Sequence, residues 1–256
     1  MSYQTILTSL EDGIFTITIH RPDKLNALNR TVMQEIDAAM DEVYSNDAIK
    51  AVLFTGTGEK SFVAGADISE FVNLSREEGM LLAKRGHDIF NKIEQCPKPV
   101  VAAVNGFALG GGCELAMSCH FRLASANARF GQPEVNLGLI PGYGGTQRLV
   151  QLIGKGKAME LLMSAAMIDA QEALRLGLVN YVTTSEELIP QTKQLLQSIL
   201  SKGPHAIAKV IQSVNAYYQE GEDGFAAEVQ YFGACFGTDE MKEGVTAFLE
   251  KRKPSF

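Results

Sequence analysis

An α/β fold built on parallel strands follows from two features of the sequence. Short apolar runs rich in β-branched residues alternate with stretches of helical period, and glycine clusters fall where the runs end. In open α/β sheets those places are where ligands bind, because strand ends and helix starts meet there. At 256 residues the chain is long enough for one large domain, or a domain with an appendage, and for a sizeable core.

Residues 13–20, GIFTITIH, alternate Ile with Thr and predict a strand with one buried face, followed by a turn at Arg21-Pro22-Asp23. From Thr31 onward Met33, Ile36, Met40 and Val43 recur at steps of three and four, which predicts an amphipathic helix, and Thr31 with Gln34 has the spacing of a capping box. Residues 51–55, AVLFT, read as a short buried strand ending in Gly56-Thr57-Gly58, and residues 99–104 as another ending in Asn105-Gly106. The most apolar segment, Pro99 to Met117, is broken by Asn105, Gly106, Gly110 to Gly112 and Glu114. It reads as strand, turn and buried helix rather than as a membrane span, which needs about 20 apolar residues. In the last quarter Ile207, Val210, Ile211, Val214 and Tyr218 trace one helical stripe, and Phe225, Val229, Phe232 and Phe236 trace another. Gly203-Pro204 precedes the first stripe and residues 220–224, EGEDG, separate the two, so a helical carboxy-terminal region in need of a partner is expected.

Composition narrows the chemistry. A hydrophobic fraction of 46% with 21% charged residues is that of an ordinary globular protein. The net charge of −7 disfavours a nucleic-acid partner, so an anionic ligand has to be met locally. Cys96, Cys113, Cys119 and Cys235 form no CxxC pair and the amino terminus lacks a secretory layout, which points to a reducing, cytoplasmic setting. The histidines His20, His87, His120 and His205 are scattered, so neither a metal site nor a catalytic triad has local support. Gly56-Thr57-Gly58-Glu59-Lys60-Ser61 misses both the adjacent Gly-Lys of a phosphate loop and the third glycine of GxGxxG.

A backbone anion hole survives these exclusions. In residues 106–117, GFALGGGCELAM, three consecutive glycines precede a run of helix formers. Glycine lets a ligand approach the main chain closely, and the unpaired first-turn N–H groups with the helix dipole favour negative charge. Glu114 lies three residues after Gly111, on nearly the same side of the helix, where it could act on a group held by that amide. The plainer alternative is tight packing at the glycines and a first-turn acid that complements the dipole. A second carboxylate, Glu134, follows Pro133 at a loop or helix start, and two carboxylates facing one substrate can activate a water and deliver a proton. Taken alone, Glu134 also reads as a solvated turn acid, and Asp67 as a first-turn acid after the turn at residues 64–66.

Arg21-Pro-Asp-Lys-Leu-Asn26-Ala-Leu28, Phe62-Val-Ala-Gly-Ala-Asp-Ile68, Asn105-Gly-Phe-Ala-Leu-Gly-Gly-Gly-Cys-Glu114, Phe130-Gly-Gln-Pro-Glu134, residues 140–149 (IPGYGGTQRL) and residues 243–252 (EGVTAFLEKR) run in order across nearly the whole chain. Together they resemble the enoyl-CoA hydratase, or crotonase, family. The resemblance implies a spiral of ββα units over residues 1–195 that carries the active site, and a helical region over residues 196–256 that makes homotrimers or dimers of trimers. It further implies an acyl-CoA thioester whose carbonyl oxygen lies between the main-chain N–H groups of Ala66 and Gly111. Glu114 then activates water and Glu134 protonates C2. Binding of the coenzyme A portion of the substrate falls to Lys24, Leu25, Ala27, Ala64, Ala66, Asp67, Ile68 and Gly111, and no separate cofactor or metal is implied. The reaction is hydration of a trans-2-enoyl-CoA, in fatty-acid β-oxidation or butanoate metabolism. Isomerases of this family can work with only the carboxylate equivalent to Glu134, so keeping both favours hydration over isomerisation, and over a non-catalytic CoA-ester-binding protein. His120 stands where relatives often carry Asp and is expected to be a local structural substitution. Tyr143 could shape the acyl pocket or simply pack within its loop.

Overall fold

A computed structural model describes residues 3–256. The elements in chain order are β1 (Ile6–Glu11), β2 (Ile14–Ile19), α1 (Arg30–Ser45), β3 (Ala51–Gly56), β4 (Ser61–Ala64), α2 (Arg76–Glu94), β5 (Val100–Val104), β6 (Phe107–Leu109), α3 (Gly111–Ser118), β7 (Phe121–Ser125) and β8 (Arg129–Gly131). There follow α4 (Gly145–Ile153), α5 (Lys155–Ser164), β9 (Ile168–Asp169), α6 (Ala170–Leu176), β10 (Tyr181–Thr183), α7 (Ser185–Leu200), α8 (Pro204–Ala216), α9 (Gly224–Cys235) and α10 (Asp239–Leu249).

Two sheets stand side by side. A six-stranded sheet has the order β1-β2-β3-β5-β7-β10, parallel except for the β1–β2 hairpin, and a four-stranded sheet has the order β4-β6-β8-β9. The chain steps through them in turns: β3, β4, α2, then β5, β6, α3, then β7, β8, α4. Each turn lays one strand in the large sheet, one in the small sheet and then a helix, which is the ββα spiral expected from the motifs. Both faces of the large sheet are covered. Val52 and Phe54 of β3 and Val100, Ala102 and Val104 of β5 join the main core, whereas Ala51, Leu53, Val101 and Ala103 join a smaller core against Leu188 and Leu196 of α7. Burial on both faces explains why these strands read as unbroken apolar runs.

The sequence expectations need small corrections. The cap of α1 is Asn29, whose side chain accepts the Val32 N–H at 2.9 Å, so the helix begins one residue before Thr31 and the Thr31–Gln34 capping box does not form. Asp67 is not inside a helix but caps a 3-10 turn over Ile68–Glu70. His120 links two elements by main-chain contacts: the Val100 N–H donates to Nδ1 at 3.0 Å, and Nε2 lies 3.1 Å from the Glu94 carbonyl oxygen. Burial pushes the imidazole down to about 4, so the ring is neutral and carries its proton on Nε2, donating to Glu94. The substitution is thus a strut between β5 and the end of α2.

Helix α7 runs through position 195, and α8 to α10 follow it. On these last helices Val210, Val214, Tyr218, Phe225, Val229, Phe232 and Phe236, members of the two stripes, are exposed. Among the described residues no helix is long and apolar enough to cross a membrane.

Candidate active site

Strand register assembles the site. Ala64 of β4 pairs with Leu109 of β6, and Leu109 pairs with Gly131 of β8, all in parallel. The residues just past the three carboxyl ends are therefore neighbours: Ala66, Gly111 and Glu134. In this way segments some twenty to forty-five residues apart in sequence meet at one edge of the small sheet, where α/β folds place their ligands.

Two main-chain amides point into this edge for separate reasons. Leu28 donates its N–H to Gly65 O at 2.8 Å and accepts the Asp67 N–H at 2.7 Å, forming a parallel bridge opposite Ala66. With both flanking residues bonded to Leu28, the Ala66 N–H is directed to the other side of its strand. Gly111 is the first residue of α3, so its N–H is one of the amides an α-helix leaves free, and the positive end of the helix dipole adds to it.

Each glycine of the triplet does something different. Gly110 has φ +47°, and a Cβ there would lie 2.6 Å from Oε1 of Glu134. At Gly112 a Cβ would come within 2.7 Å of both the carbonyl carbon and the Cβ of Val63, so α3 rests directly on the backbone of β4. Gly111 has more room, its nearest neighbour being Leu28 Cδ1 at 3.2 Å. The plain packing alternative therefore accounts for Gly112 and leaves Gly110 and Gly111 to the site.

Glu114 lies in the first turn of α3, as the dipole reading has it, yet it is only 1% exposed. Its Oε1 accepts the N–H groups of Tyr143 at 2.8 Å and Gly145 at 2.7 Å. Burial pushes its carboxyl up to about 7, against the pull of these two N–H donors and with a contribution from Glu134. Burial raises Glu134 as well. The loop that supplies the two donors is anchored in turn by Arg148, which is 5% exposed. Arg148 donates to the Tyr143 carbonyl at 3.0 Å, to Asn91 at 2.6 Å, and through two nitrogens to the Glu94 carboxylate at 3.2 and 2.8 Å. Arg122 does the same for the far end of α3, donating to the Ala116 and Cys119 carbonyls at 3.3 and 2.8 Å.

Sequence reasoning missed Gln132 and Arg148. Gln132 is 1% exposed, and with its amide nitrogen toward Glu134 it donates to both carboxylate oxygens at 3.1 Å. The available signal was a polar residue two before Glu134 in a segment that otherwise reads as buried strand. Nothing in the spacing of Arg148 marks it, because its side-chain partners Asn91 and Glu94 lie some fifty residues upstream.

The remaining predicted residues fall on two segments, 24–27 and 64–68, that lie side by side, the Ala64 N–H donating to Leu25 O at 3.1 Å. Arg21 ties the two segments together, donating to the Ala27 carbonyl at 2.6 Å and to Asp67 at 3.0 Å. The Ser69 hydroxyl, then Arg21, hold the Asp67 carboxyl below the usual carboxylate range. Leu25 and Asn26 are consecutive residues with positive φ, a conformation stabilised by the Asn26 amide, which donates to Thr57 O at 3.1 Å and Ser61 O at 2.8 Å, and by the Ser61 hydroxyl on Leu25 O at 2.8 Å. Ala27, Ala64 and Ala66 are half-buried, whereas Lys24, Leu25 and Ile68 are exposed.

The raised carboxyl of Glu114 links stability to pH. Its ordinary value is 4.5 and its value in the fold about 7, so the folded chain holds this proton more tightly than the unfolded one. The stability it contributes is complete below about 4.5 and is lost as pH rises through 7. Glu114→Gln, which cannot ionise, is expected to gain Tm relative to the unsubstituted chain between about pH 5 and pH 8. An unchanged Tm difference across that window would contradict a burial-driven shift.

Comparison with known proteins identifies the family. The family model described as enoyl-CoA hydratase/isomerase matches residues 9–256. The chain is 49% identical to the crotonyl-CoA hydratase of Syntrophomonas wolfei, covering 100% of this chain and 99% of that one. It is 47% identical to the short-chain-enoyl-CoA hydratase of Clostridium acetobutylicum, covering 99% and 97%. Among solved structures, the enoyl-CoA hydratase from Bacillus anthracis superposes with a TM-score of 0.93 at 34% identity over 99% of both chains.

Proposed function

The chain belongs to the enoyl-CoA hydratase/isomerase family, and from that premise we infer that it is an enoyl-CoA hydratase, adding water reversibly and in syn fashion across the double bond of a trans-2-enoyl-CoA to give the 3-hydroxyacyl-CoA. The observation that carries this reading is the convergence of two burial-shifted glutamates, from separate elements, on a pair of strand-end amides.

In the proposed mechanism the thioester oxygen accepts the N–H groups of Ala66 and Gly111. As the water oxygen bonds to C3, the C2–C3 π electrons move toward C1 and negative charge gathers on that oxygen. Preorganised donors at the position where charge develops are worth about 3 kcal/mol each in the transition state. Glu114 takes the proton from the water and Glu134 gives one to C2, so the pair ends with its proton transferred and is reset by exchange. Because the two carboxylates interact and exchange a proton after each turnover, their titration belongs to the pair. In this mechanism the two amides meet the developing charge, the two glutamates move the protons and coenzyme A enters as part of the substrate, so the proposed reaction calls on no further cofactor and no metal. Glu114, held by two N–H donors, supports hydration over a double-bond shift that one carboxylate can perform.

The paired segments carrying Lys24, Leu25, Ala27, Ala64, Asp67 and Ile68 are assigned to the coenzyme A portion, leading to Ala66 and Gly111 at the thioester. Exposed apolar Leu25 and Ile68 suit a base and Lys24 a phosphate. Residues 1–195 form the catalytic core in this reading and residues 196–256 the region through which copies associate as trimers or dimers of trimers. The exposed apolar faces of α8 and α9 support that role. A cytoplasmic place in fatty-acid or butanoate metabolism fits four free cysteines.

Mixing the purified protein with crotonyl-CoA tests the activity directly. Loss of the conjugated enoyl-thioester absorbance, with 3-hydroxybutanoyl-CoA as product, is expected. Binding without turnover, for this and longer 2-enoyl thioesters, would overturn it.

A further inference from the structure

The Tyr143 ring occupies the gap between α2 and α3 beside the proposed acyl site. One edge of the ring faces α2 at Gly86, where a Cβ would come within 2.6 Å of Tyr143 Cγ. The other edge, Cδ2 and Cε2, lies 3.6 Å from the Cβ position of Gly111. Phe90 of α2 meets the ring edge to face, with centroids 5.7 Å apart and planes at 85°. The main-chain N–H of the same residue donates to Glu114. The Tyr143 main chain therefore joins ring and carboxylate, and the ring then passes beside Gly111. Burial, then Glu114 and Glu70, push its phenol up to about 12, so the hydroxyl stays neutral. At 7% exposure only a sliver of the side chain is left open.

An extended 2-enoyl chain has its C1 oxygen at the two amides and C3 beside the two glutamates. Beyond C3 it must leave the thioester on the Glu114 side, and there the gap between α2 and α3 is the opening it would follow. We propose that the Tyr143 ring closes that opening and limits the acyl chain to short lengths. The proposal rests on the hydratase reading and assigns its chain-length selectivity to one side chain. Gly86 takes part indirectly, since only a residue without Cβ lets the ring stand against α2 and out of the site.

The test compares kcat/KM for trans-2-octenoyl-CoA with that for crotonyl-CoA in each protein, so that losses common to both substrates cancel. Tyr143→Ala is expected to raise the octenoyl-to-crotonyl ratio at least about tenfold, the scale on which apolar pockets discriminate methylenes. Tyr143→Phe keeps the ring and should leave the ratio within about twofold. Gly86→Ala, which drives the ring into the site, should lower it. If Tyr143→Ala does not fold, Tyr143→Leu, which keeps volume near Cβ and vacates the far edge of the ring, decides the matter. A ratio unmoved in folded variants that still hydrate crotonyl-CoA overturns the assignment and leaves the hydratase reading intact. Absence of turnover by the unsubstituted protein on both thioesters overturns the hydratase reading, and the assignment with it.

Discussion

Glu114→Gln is expected to lower kcat for hydration of crotonyl-CoA by about a thousandfold, within the range general acid–base groups contribute. The amide keeps an oxygen able to accept the Tyr143 and Gly145 N–H groups, so loop and helix stay in place and the loss is one of proton transfer. KM should change little, since the thioester is held by main-chain amides rather than by this carboxylate. Glu134→Gln is expected to fall by a similar factor, because each residue handles one of the two protons moved. The double variant should be scarcely worse than either single one, as groups that act as a unit are far from additive. Initial rates from the enoyl absorbance, with circular dichroism to check the fold, measure all three. A single variant that kept kcat within tenfold would remove that glutamate from the mechanism.

A second large effect is expected from Gly112→Ala, and its sign runs against helix propensity. In an exposed helix the change would stabilise by about 1 kcal/mol. Here the new Cβ would fall on the Val63 carbonyl group, within 2.7 Å of its carbon, and that group is backbone of a paired strand with no rotamer to escape into. Overpacking of this kind costs about 1–3 kcal/mol, and more where only backbone can yield. The net expectation is a destabilisation of about 3 kcal/mol by urea unfolding. Because α3 and β4 carry the Gly111 and Ala66 amides, forcing them apart should also depress kcat for the fraction that folds. Gly111→Ala makes a useful contrast, since the obstacle at 3.2 Å is the end of a leucine side chain that can turn away. An increase in stability for Gly112→Ala would show that the helix is not seated on the strand.

Much of this was legible from local pattern. The apolar runs at residues 51–55 and 99–104 and the stripe from Met33 to Val43 appear as strands and a helix because burial on a pleat or on a helical face imposes periods visible in any one segment. The two carboxy-terminal stripes were readable for the same reason, down to their want of a partner. The strands of the small sheet were harder. Those at 107–109, 129–131 and 168–169 have two or three residues, too few for a period to show. The cap of α1 was misplaced because Asn29 and Thr31 are both able caps, and which one bonds depends on how the preceding turn enters the helix.

The site divides along the same line. Taken alone, the sequence settles that a glycine triplet opens a helix, that a glutamate lies one turn inside it, and that another glutamate follows a proline, since these are matters of residue type and spacing along one segment. It also carries the ordered motifs from which the family could be named. Register and burial lie beyond it. That Ala64, Leu109 and Gly131 pair in line, that Glu114 is sealed under the Tyr143 loop while Glu134 leans on Gly110, and that Arg148 reaches back to Glu94, are outcomes of the folded chain. Strand pairing between distant segments is chosen by how whole faces pack, and a carboxyl group is pushed upward by the water it loses, neither of which is a property of the residues nearest in sequence.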